Sequence, residues 1–187
     1  MVEPFVEVIS EQVLAERIQT LGESISADYS HTVPVLVGVL AGSIPFLSDL
    51  SRNIAGDCEI DFLSLNRFGE GGRARISMDT ETSLEHRDVL IVEDIVDTGL
   101  SLTFLRRLLS TRDLASLRTV ALLDKAPRRI VEVPVEYRGF EVGDEFLLGY
   151  GLDWEGHYRN LRSIWAVLDL ATFRNEPERL GGYAFGR

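Results

Sequence analysis

The sequence VLIVEDIVDTGLS, residues 89–101, constrains the fold more than any other part of the chain. It begins with a short apolar, β-branched run, which is typical of a strand that is buried on both faces of a parallel sheet. Glu93 and Asp94 follow this run directly, and Asp97 precedes a Thr-Gly turn. The next apolar positions have helical spacing: Leu102, Leu105, Leu108 and Leu109. The stretch therefore predicts a strand, a loop and a helix, which together indicate a parallel α/β sheet.

The loop of this unit has the chemistry of an anion site. In open α/β sheets, ligands bind beyond the carboxyl ends of the strands. A glycine turn that begins a helix also presents N–H groups and the positive end of the helix dipole. Residues 98–101 are thus a predicted phosphate-binding loop, and the preceding acids suit a hard cation or sugar hydroxyls. An isolated Asp-Thr-Gly would more simply be a helix cap, but the complete strand, acid pair and loop favour a site.

A second strand–loop–helix unit lies earlier in the chain. Residues 34–40 form another apolar strand pattern, and Ala41-Gly42-Ser43 follows it. Pro45 then falls in the first turn of the predicted helix, where proline is tolerated. The backbone of 41–43 is a candidate for a second anion site, although an ordinary turn remains the alternative on this evidence.

The other elements follow from shorter patterns. A helix is predicted over 11–29, with Ser10 as its cap, and the tail from Arg174 is polar and is expected to be loosely held. The composition of 67–75, rich in glycine and arginine, is typical of a hairpin tip. Further strands are predicted at 58–66, 75–77, 119–123, 133–135, around Phe140, at 145–148 and at 164–168.

Length and charge narrow the function classes. A chain of 187 residues suits one domain. Its formal charge of −11 argues against nucleic-acid binding, because phosphate backbones are bound by basic surfaces. The single cysteine, Cys58, fits a reducing compartment, and no apolar run reaches the length of a membrane span. The sequence therefore predicts a cytoplasmic protein without nucleic-acid or membrane partners.

Four motifs, taken in order, resemble those of the type I phosphoribosyltransferases, and in particular the hypoxanthine and hypoxanthine-guanine branch. VEDIVDTG resembles the signature for PRPP (5-phosphoribosyl-1-pyrophosphate), and GVLAGSIPFLSDL resembles the pyrophosphate loop and its helix. LLDKAP and GFEVGDEFLLGYGLDWEGHYRN resemble the base-binding segments. Together the motifs span roughly residues 34–170.

The resemblance implies the α/β fold of that family. Its central, mostly parallel sheet is flanked by helices, with a small hood formed by N- and C-terminal segments and a mobile hairpin lid. On this basis residues 1–187 are one domain, with the hood at about 1–10 and 134–173 and the lid at about 66–76.

The resemblance also implies an activity. It is the Mg²⁺-dependent transfer of 5-phosphoribose from PRPP to N9 of hypoxanthine or guanine, which gives IMP or GMP and pyrophosphate in purine salvage. The family forms dimers and tetramers, so a homodimer or homotetramer is expected.

Roles for individual residues come from the same resemblance. Asp97 is expected to be the general base at N7 of the purine. The residues expected to bind PRPP are Glu93, Asp94, Asp97, Thr98, Gly99, Leu100 and Ser101, together with Ala41, Gly42, Ser43 and Arg159. Those expected to bind the base are Lys125, Phe146, Leu147 and Asp153. The expected metal ligands are Glu93, Asp94 and Asp153.

Lys125 carries the argument for base specificity. A lysine ammonium group donates hydrogen bonds and accepts none, so it can pair with a purine O6 but opposes a 6-amino group. A site whose buried polar group is left unpaired rejects the wrong ligand by about 10⁴-fold in favourable cases.

The chain departs from the family at two places. Arg67 and Phe68 occupy the lid positions where the family usually has a Ser-Tyr pair, and Ala41 stands where many relatives have lysine. The family's loop at that alanine often contains a cis peptide bond, and the Leu40–Ala41 bond is accordingly predicted to be cis.

Other interpretations remain. Taken singly, Lys125 could be a solvated turn residue, Phe146 a core aromatic, and Asp153 and Arg159 a surface ion pair. The same fold could act on xanthine or another base, since the sequence does not fix the purine 2-position. It could also be a non-catalytic PRPP sensor that binds nucleic acid, although the acidic charge disfavours this reading.

Overall fold

The computed structural model describes residues 4–68 and 73–186, and in that part of the chain strands and helices largely alternate. The strands are β1 (Phe5–Ile9), β2 (Val35–Leu40), β3 (Glu59–Phe68), β4 (Arg73–Met78), β5 (Asp88–Val96), β6 (Ser116–Asp124), β7 (Tyr137–Glu141), β8 (Phe146–Leu148) and β9 (Ile164–Val167). The helices are α1 (Glu11–Asp28), α2 (Ile44–Arg52), α3 (Leu100–Leu109), α4 (Leu170–Asn175) and α5 (Arg179–Ala184), with single 3₁₀ turns at Ser110–Arg112 and Ala126–Arg128.

The central sheet has the strand order β4-β3-β2-β5-β6-β7. Strands β3, β2, β5, β6 and β7 are parallel, and only β4, at the edge, is antiparallel to its neighbour. The predicted mostly parallel sheet is confirmed. Because β5 lies between β2 and β6, its carboxyl end adjoins the ends of both neighbours, which brings their following loops together.

Strand β5 is longer than the apolar run that predicted it. Its pairing with β6 continues to Val96, which is opposite Asp124, so both acids lie inside the strand. Side chains alternate between the faces of a strand. Glu93 and Asp94 therefore project to opposite sides of the sheet.

Helices cover both faces of the central sheet. On one face α1 packs its predicted stripe of Leu14, Ile18, Leu21 and Ile25, and Ser10 caps it by accepting a hydrogen bond from the Val13 N–H at 3.4 Å. On the other face the buried leucines of α3 pack against Val89 and Ile91. None of the described helices combines the length and the hydropathy that crossing a membrane requires.

A second, antiparallel sheet joins both ends of the described chain, with the order β1-β9-β8. Phe5 pairs with Val167, and Val167 also pairs with Phe146. The predicted hood range of 134–173 needs one correction, because β7 pairs with β6 and belongs to the central sheet. Residues 133–135, predicted as a strand, lie in irregular chain before β7.

The prediction of a loosely held tail is wrong for its described residues. Helices α4 and α5 pack on the second sheet, with Phe173 and Leu180 fully buried. Phe5 meets both Phe173 and Tyr183 edge to face, with ring centroids 5.8 and 5.3 Å apart. A few apolar side chains are enough to fix a polar segment to the protein, because they cover a sheet face that water would otherwise contact.

Strands β3 and β4 form the arms of the predicted hairpin. Their backbones pair as far as Phe68 and Arg73, so each arm extends about two residues beyond the predicted strand ends at 66 and 75. The hairpin tip at 69–72, and the side chains of Arg67 and Phe68, lie outside the described part of the structure.

Candidate active site

The predicted phosphate loop lies between β5 and α3. Gly99 precedes α3 in the left-handed region, at φ 82°, and its carbonyl accepts a hydrogen bond from the Thr103 N–H at 2.9 Å. A Cβ at this position would lie 2.7 Å from the carbonyl oxygen of Val131. The loop therefore requires glycine for both its backbone angle and its close packing.

The segment that follows β6 is hydrogen-bonded to this loop. The N–H groups of Ile130 and Val131 both donate to the carbonyl oxygen of Thr98, at 3.0 and 3.3 Å. With Thr98 held in this way, the first turn of α3 is presented at the carboxyl edge of the sheet, where its N–H groups and dipole suit a phosphate.

The pKa values of the two acids of β5, Glu93 and Asp94, are both raised. Glu93 is buried, and burial together with the neighbouring Asp94 raises its pKa well above the usual range. Burial raises the pKa of Asp94 to about 6, and Asp153 acts in the same direction, whereas the Ile95 N–H and Arg159 lower it. Asp94 thus interacts electrostatically with both Glu93 and Asp153.

The second loop, 41–43, packs directly against Asp94. The predicted cis peptide bond between Leu40 and Ala41 is confirmed. A Cβ on Gly42 would overlap the Asp94 carboxylate, and a Cβ on Gly151, at φ 101°, would overlap the Gly42 carbonyl oxygen. The two strand-end loops and the chain near residue 151 therefore meet with no space for side chains between them.

This packing predicts a large effect for Gly42→Ala. The added methyl group must displace Asp94, and a 1 Å displacement in an active site can cost about 10²-fold in rate. We expect turnover to fall by about that factor, with the free energy of unfolding reduced by about 1–3 kcal/mol from overpacking. Turnover assays and thermal denaturation will measure both effects. Gly181→Ala is the matched control, because its Cβ would meet nothing closer than 3.8 Å; equal behaviour of the two variants would contradict the prediction.

Asp153 and Arg159 form an ion pair beside these loops, with an N–O distance of 2.8 Å. Both side chains are partly buried, at 29% and 36% exposure, and Arg159 also donates to the carbonyl oxygen of Gly151. Arg159 lowers and Asp153 raises the pKa of Asp94, so the ion pair is close enough to Asp94 to act on it and is not an isolated surface contact.

Lys125 lies at the end of β6, next to the end of β5. Its backbone N–H donates to the Val96 carbonyl oxygen at 2.9 Å. The side chain is 7% exposed, and Nζ donates to the carbonyl oxygen of Glu145 at 2.6 Å, with Asp144 more distant at 3.5 Å. Burial lowers the pKa of Lys125, and Asp97 opposes this shift. The reading as a solvated turn residue is therefore excluded.

Phe146 follows Glu145 directly and is half-buried in a group of aromatic rings. Its ring meets Trp154 edge to face at 5.5 Å, and Phe173 lies behind Trp154 at 5.3 Å. Leu147 is buried in the second sheet. Phe146 and Trp154 thus form an aromatic wall next to Glu145, whose carbonyl oxygen accepts the shorter of the two Lys125 hydrogen bonds.

Four side chains beside the site were not predicted from the sequence: Asp124, Arg128, Arg129 and Arg138. Arg128 Nε donates to Oδ1 of Asp97 at 2.7 Å. Asp124 is buried and accepts from Arg129 at 2.7 Å, and Arg138 approaches its other oxygen at 2.7 Å. These residues fix the turn that carries Lys125. The run Asp-Lys-Ala-Pro-Arg-Arg showed a turn, but not which acid each arginine would meet.

A cavity of about 270 Å³ contains part of the predicted phosphate site, namely Glu93, Asp97, Thr98, Gly99 and Ser101. Its other lining residues are Leu40, Leu102 and apolar residues of β2, β3 and β5, whereas Asp94, Leu100, Arg159 and the loop 41–43 do not line it. A larger cavity of about 620 Å³ lies between α1, α2 and residues 159–162; it includes Arg159 but not the phosphate loop, and Lys125 lines neither cavity. Glu93, Asp97 and the anion loop therefore identify the smaller cavity as the candidate phosphate site.

The fold and this site define a class of protein. A family profile described as phosphoribosyl transferase domain matches residues 8–155, and the chain belongs to that family. As a member it is an enzyme of the pentosyltransferase class.

The relatives of the chain specify the branch. It is 40% identical over 172 residues to a hypoxanthine-guanine phosphoribosyltransferase of Bacillus subtilis, with 90% of this chain and 95% of that protein covered. A crystal structure of a hypoxanthine-guanine phosphoribosyltransferase from Bacillus anthracis superposes with a TM-score of 0.84 at 37% identity, covering 87% of this chain and 98% of the other. A hypoxanthine phosphoribosyltransferase structure from Staphylococcus aureus gives the same TM-score and identity over 87% and 90%.

Proposed function

We propose that this enzyme transfers 5-phosphoribose from PRPP to N9 of hypoxanthine or guanine, giving IMP or GMP and pyrophosphate in purine salvage. The observation that supports the proposal is the position of Lys125, a buried ammonium group that interacts electrostatically with the general-base candidate Asp97 and donates to the carbonyl oxygen of Glu145, the residue before Phe146. A lysine has three N–H donors. Its short hydrogen bond to Glu145 uses one donor and leaves others for a purine O6.

The substrate phosphates fit the two strand-end loops. The 5′-phosphate would bind the backbone N–H groups and hydroxyls of 98–101, at the start of α3. The backbone of 41–43 and the Arg159 guanidinium would take the pyrophosphate. In this arrangement the ribose of PRPP would lie over the carboxyl end of β5, between the bound 5′-phosphate and the bound pyrophosphate and close to the acids of that strand.

The reaction needs positioning and charge stabilisation. The bond from ribose C1 to pyrophosphate breaks, C1 gains oxocarbenium character, and N9 of the base forms the new bond. Asp97 would accept the proton from N7 as general base. Phe146 would stack on the purine, the Leu147 backbone would read its edge, and Asp153 would lie near position 2.

Magnesium fits the acids of this site. Carboxylates are hard oxygen ligands of the kind that Mg²⁺ prefers, and burial leaves Glu93 and Asp94 with raised pKa values that a cation would offset. Because Glu93 and Asp94 project to opposite sides of the sheet, we assign them to different ions, Glu93 to a first ion and Asp94 together with Asp153 to a second. When bound, Mg²⁺ would neutralise charge on the departing pyrophosphate.

A steady-state assay tests the proposal. PRPP and Mg²⁺ are supplied with hypoxanthine, guanine, xanthine or adenine, and nucleotide formation is followed. We expect turnover with hypoxanthine and guanine and none with adenine. Chelation by EDTA should abolish turnover, and excess Mg²⁺ should restore it.

The other outcomes identify the alternatives. Turnover with xanthine in preference to hypoxanthine would assign the enzyme to that base. Binding of PRPP without turnover on any base would support the sensor interpretation. Turnover that persists in EDTA would refute the proposed requirement for Mg²⁺. The homo-oligomeric state and the cytoplasmic location stay predictions.

A further inference from the structure

Arg128 joins two acids that come from different parts of the chain. Its Nε donates to Oδ1 of Asp97, at the end of β5, at 2.7 Å. Its Nη1 donates to Oδ1 of Asp144, in the connection between β7 and β8. The 3₁₀ turn at Ala126–Arg128 places the guanidinium between them. One side chain therefore links the phosphate loop to the segment that supports the purine.

The same segment carries the partner of Lys125. The carbonyl oxygen of Glu145 accepts the short hydrogen bond from Lys125 Nζ, and Asp144 is the preceding residue. Phe146, the proposed stacking ring, follows Glu145. By holding Asp144, Arg128 also restrains the backbone that orients both groups expected to contact the base.

Only arginine can make this connection with one side chain. A guanidinium presents donors in a rigid, planar fork, whereas a lysine ammonium group acts as a point charge. Here Nε and Nη1 face different carboxylates. A lysine at 128 could satisfy one of the two acids while leaving the other without its partner.

We infer that Arg128 is a positioning residue, which holds the Asp97 carboxylate toward the purine and couples it to the base-binding segment 144–146. The inference rests on the proposed function. A carboxylate accepts hydrogen bonds on both oxygens. Arg128 on Oδ1 therefore leaves Oδ2 to receive the N7 proton, and the rotation of Asp97 is restricted before the base arrives.

Both contacts are exposed to solvent, with the side chains of Arg128, Asp97 and Asp144 at 44%, 45% and 74% exposure. Such ion pairs contribute little to folding in water. The ion pairs of Arg128 would instead orient Asp97, because a catalytic group that is already in place avoids an ordering cost in the transition state. The expected signature is thus kinetic, with little change in stability.

The test is a double-mutant cycle on Arg128 and Asp97 in the full-length protein. We expect Arg128→Met to lower kcat by about 10-fold or more, with the KM for PRPP nearly unchanged. Arg128→Lys should recover part of this loss. In the Asp97→Asn background, Arg128→Met should cost less than about 2-fold further, because its effect passes through Asp97.

The control is Arg162→Met, which removes an arginine that is 81% exposed and paired only with Glu11 in the described residues. It should match the wild type. Losses that multiply in the double variant would overturn the inference, as would a rise in the KM for PRPP that accounts for the whole effect. An Arg128→Met variant with wild-type kinetics would overturn it also. Absence of turnover in the wild-type enzyme would instead refute the proposed function, and the inference with it.

Discussion

Replacing Asp97 by asparagine is expected to lower kcat by about 10²–10⁴-fold, the usual contribution of a general base. Asparagine keeps the size of the side chain and its place at the cavity, but its amide cannot accept the N7 proton. PRPP affinity should change little, because the phosphates are assigned to backbone N–H groups, hydroxyls and Arg159. The loss should therefore appear in kcat and not in PRPP binding.

Turnover kinetics and calorimetric titration of PRPP with Mg²⁺ separate the two effects. Asp113→Asn is a suitable control, since Asp113 is exposed at 76% and lies in the loop after α3. Asparagine also tolerates its left-handed backbone at φ 51°. A proportional loss of PRPP affinity in Asp97→Asn would assign Asp97 to phosphoribose binding and remove its role as base.

Replacing Lys125 by methionine should remove the discrimination between 6-oxopurines and adenine. Methionine fills much of the same buried volume but offers no donor to O6. We expect the ratio of kcat/KM for hypoxanthine over adenine to fall by at least about 10²-fold, since a buried donor gives selectivity of that order or more. Most of the change should come from weaker use of hypoxanthine.

Competition assays with both bases, together with PRPP titration, measure this effect. PRPP affinity should be nearly intact, because Lys125 is assigned to the purine and not to the phosphates. Loss of PRPP binding would place Lys125 in the phosphate site instead. Arg162→Met serves again as the control for removing a cation outside the cavity. Unchanged selectivity in Lys125→Met would show that another group reads position 6.

Local pattern was sufficient to predict the parts of the site that are contiguous in sequence. The strand, acids, glycine loop and helix of 89–109 follow from apolar periodicity and from the backbone angle that Gly99 must adopt. The Ser10 cap and the stripe of α1 follow in the same way. The cis bond before Ala41 and the role of Lys125 came from the resemblance to the family, not from pattern.

The missed features depend on contacts between distant segments. A surface-like Asp-Lys-Ala-Pro-Arg-Arg turn does not show that Arg128 faces Asp97 while Arg129 faces Asp124. The strand predicted around Phe140 is present as β7, but its place in the central sheet rather than in the hood follows only from its pairing with β6. The tail from Arg174 looked polar because it has few apolar residues, of which Leu180 is buried in the cluster that covers the second sheet and does not belong to a recognisable helix stripe.

Lys125 is the single lysine of this sequence, and every other strongly basic side chain is an arginine. The surface therefore offers no lysine for acylation, glycation or ubiquitin attachment. The one side-chain amine stands 7% exposed in the proposed purine site, with its pKa lowered by burial. Any modification of a lysine in this enzyme is consequently a modification of that site, and an amine-directed reagent competes there with the base.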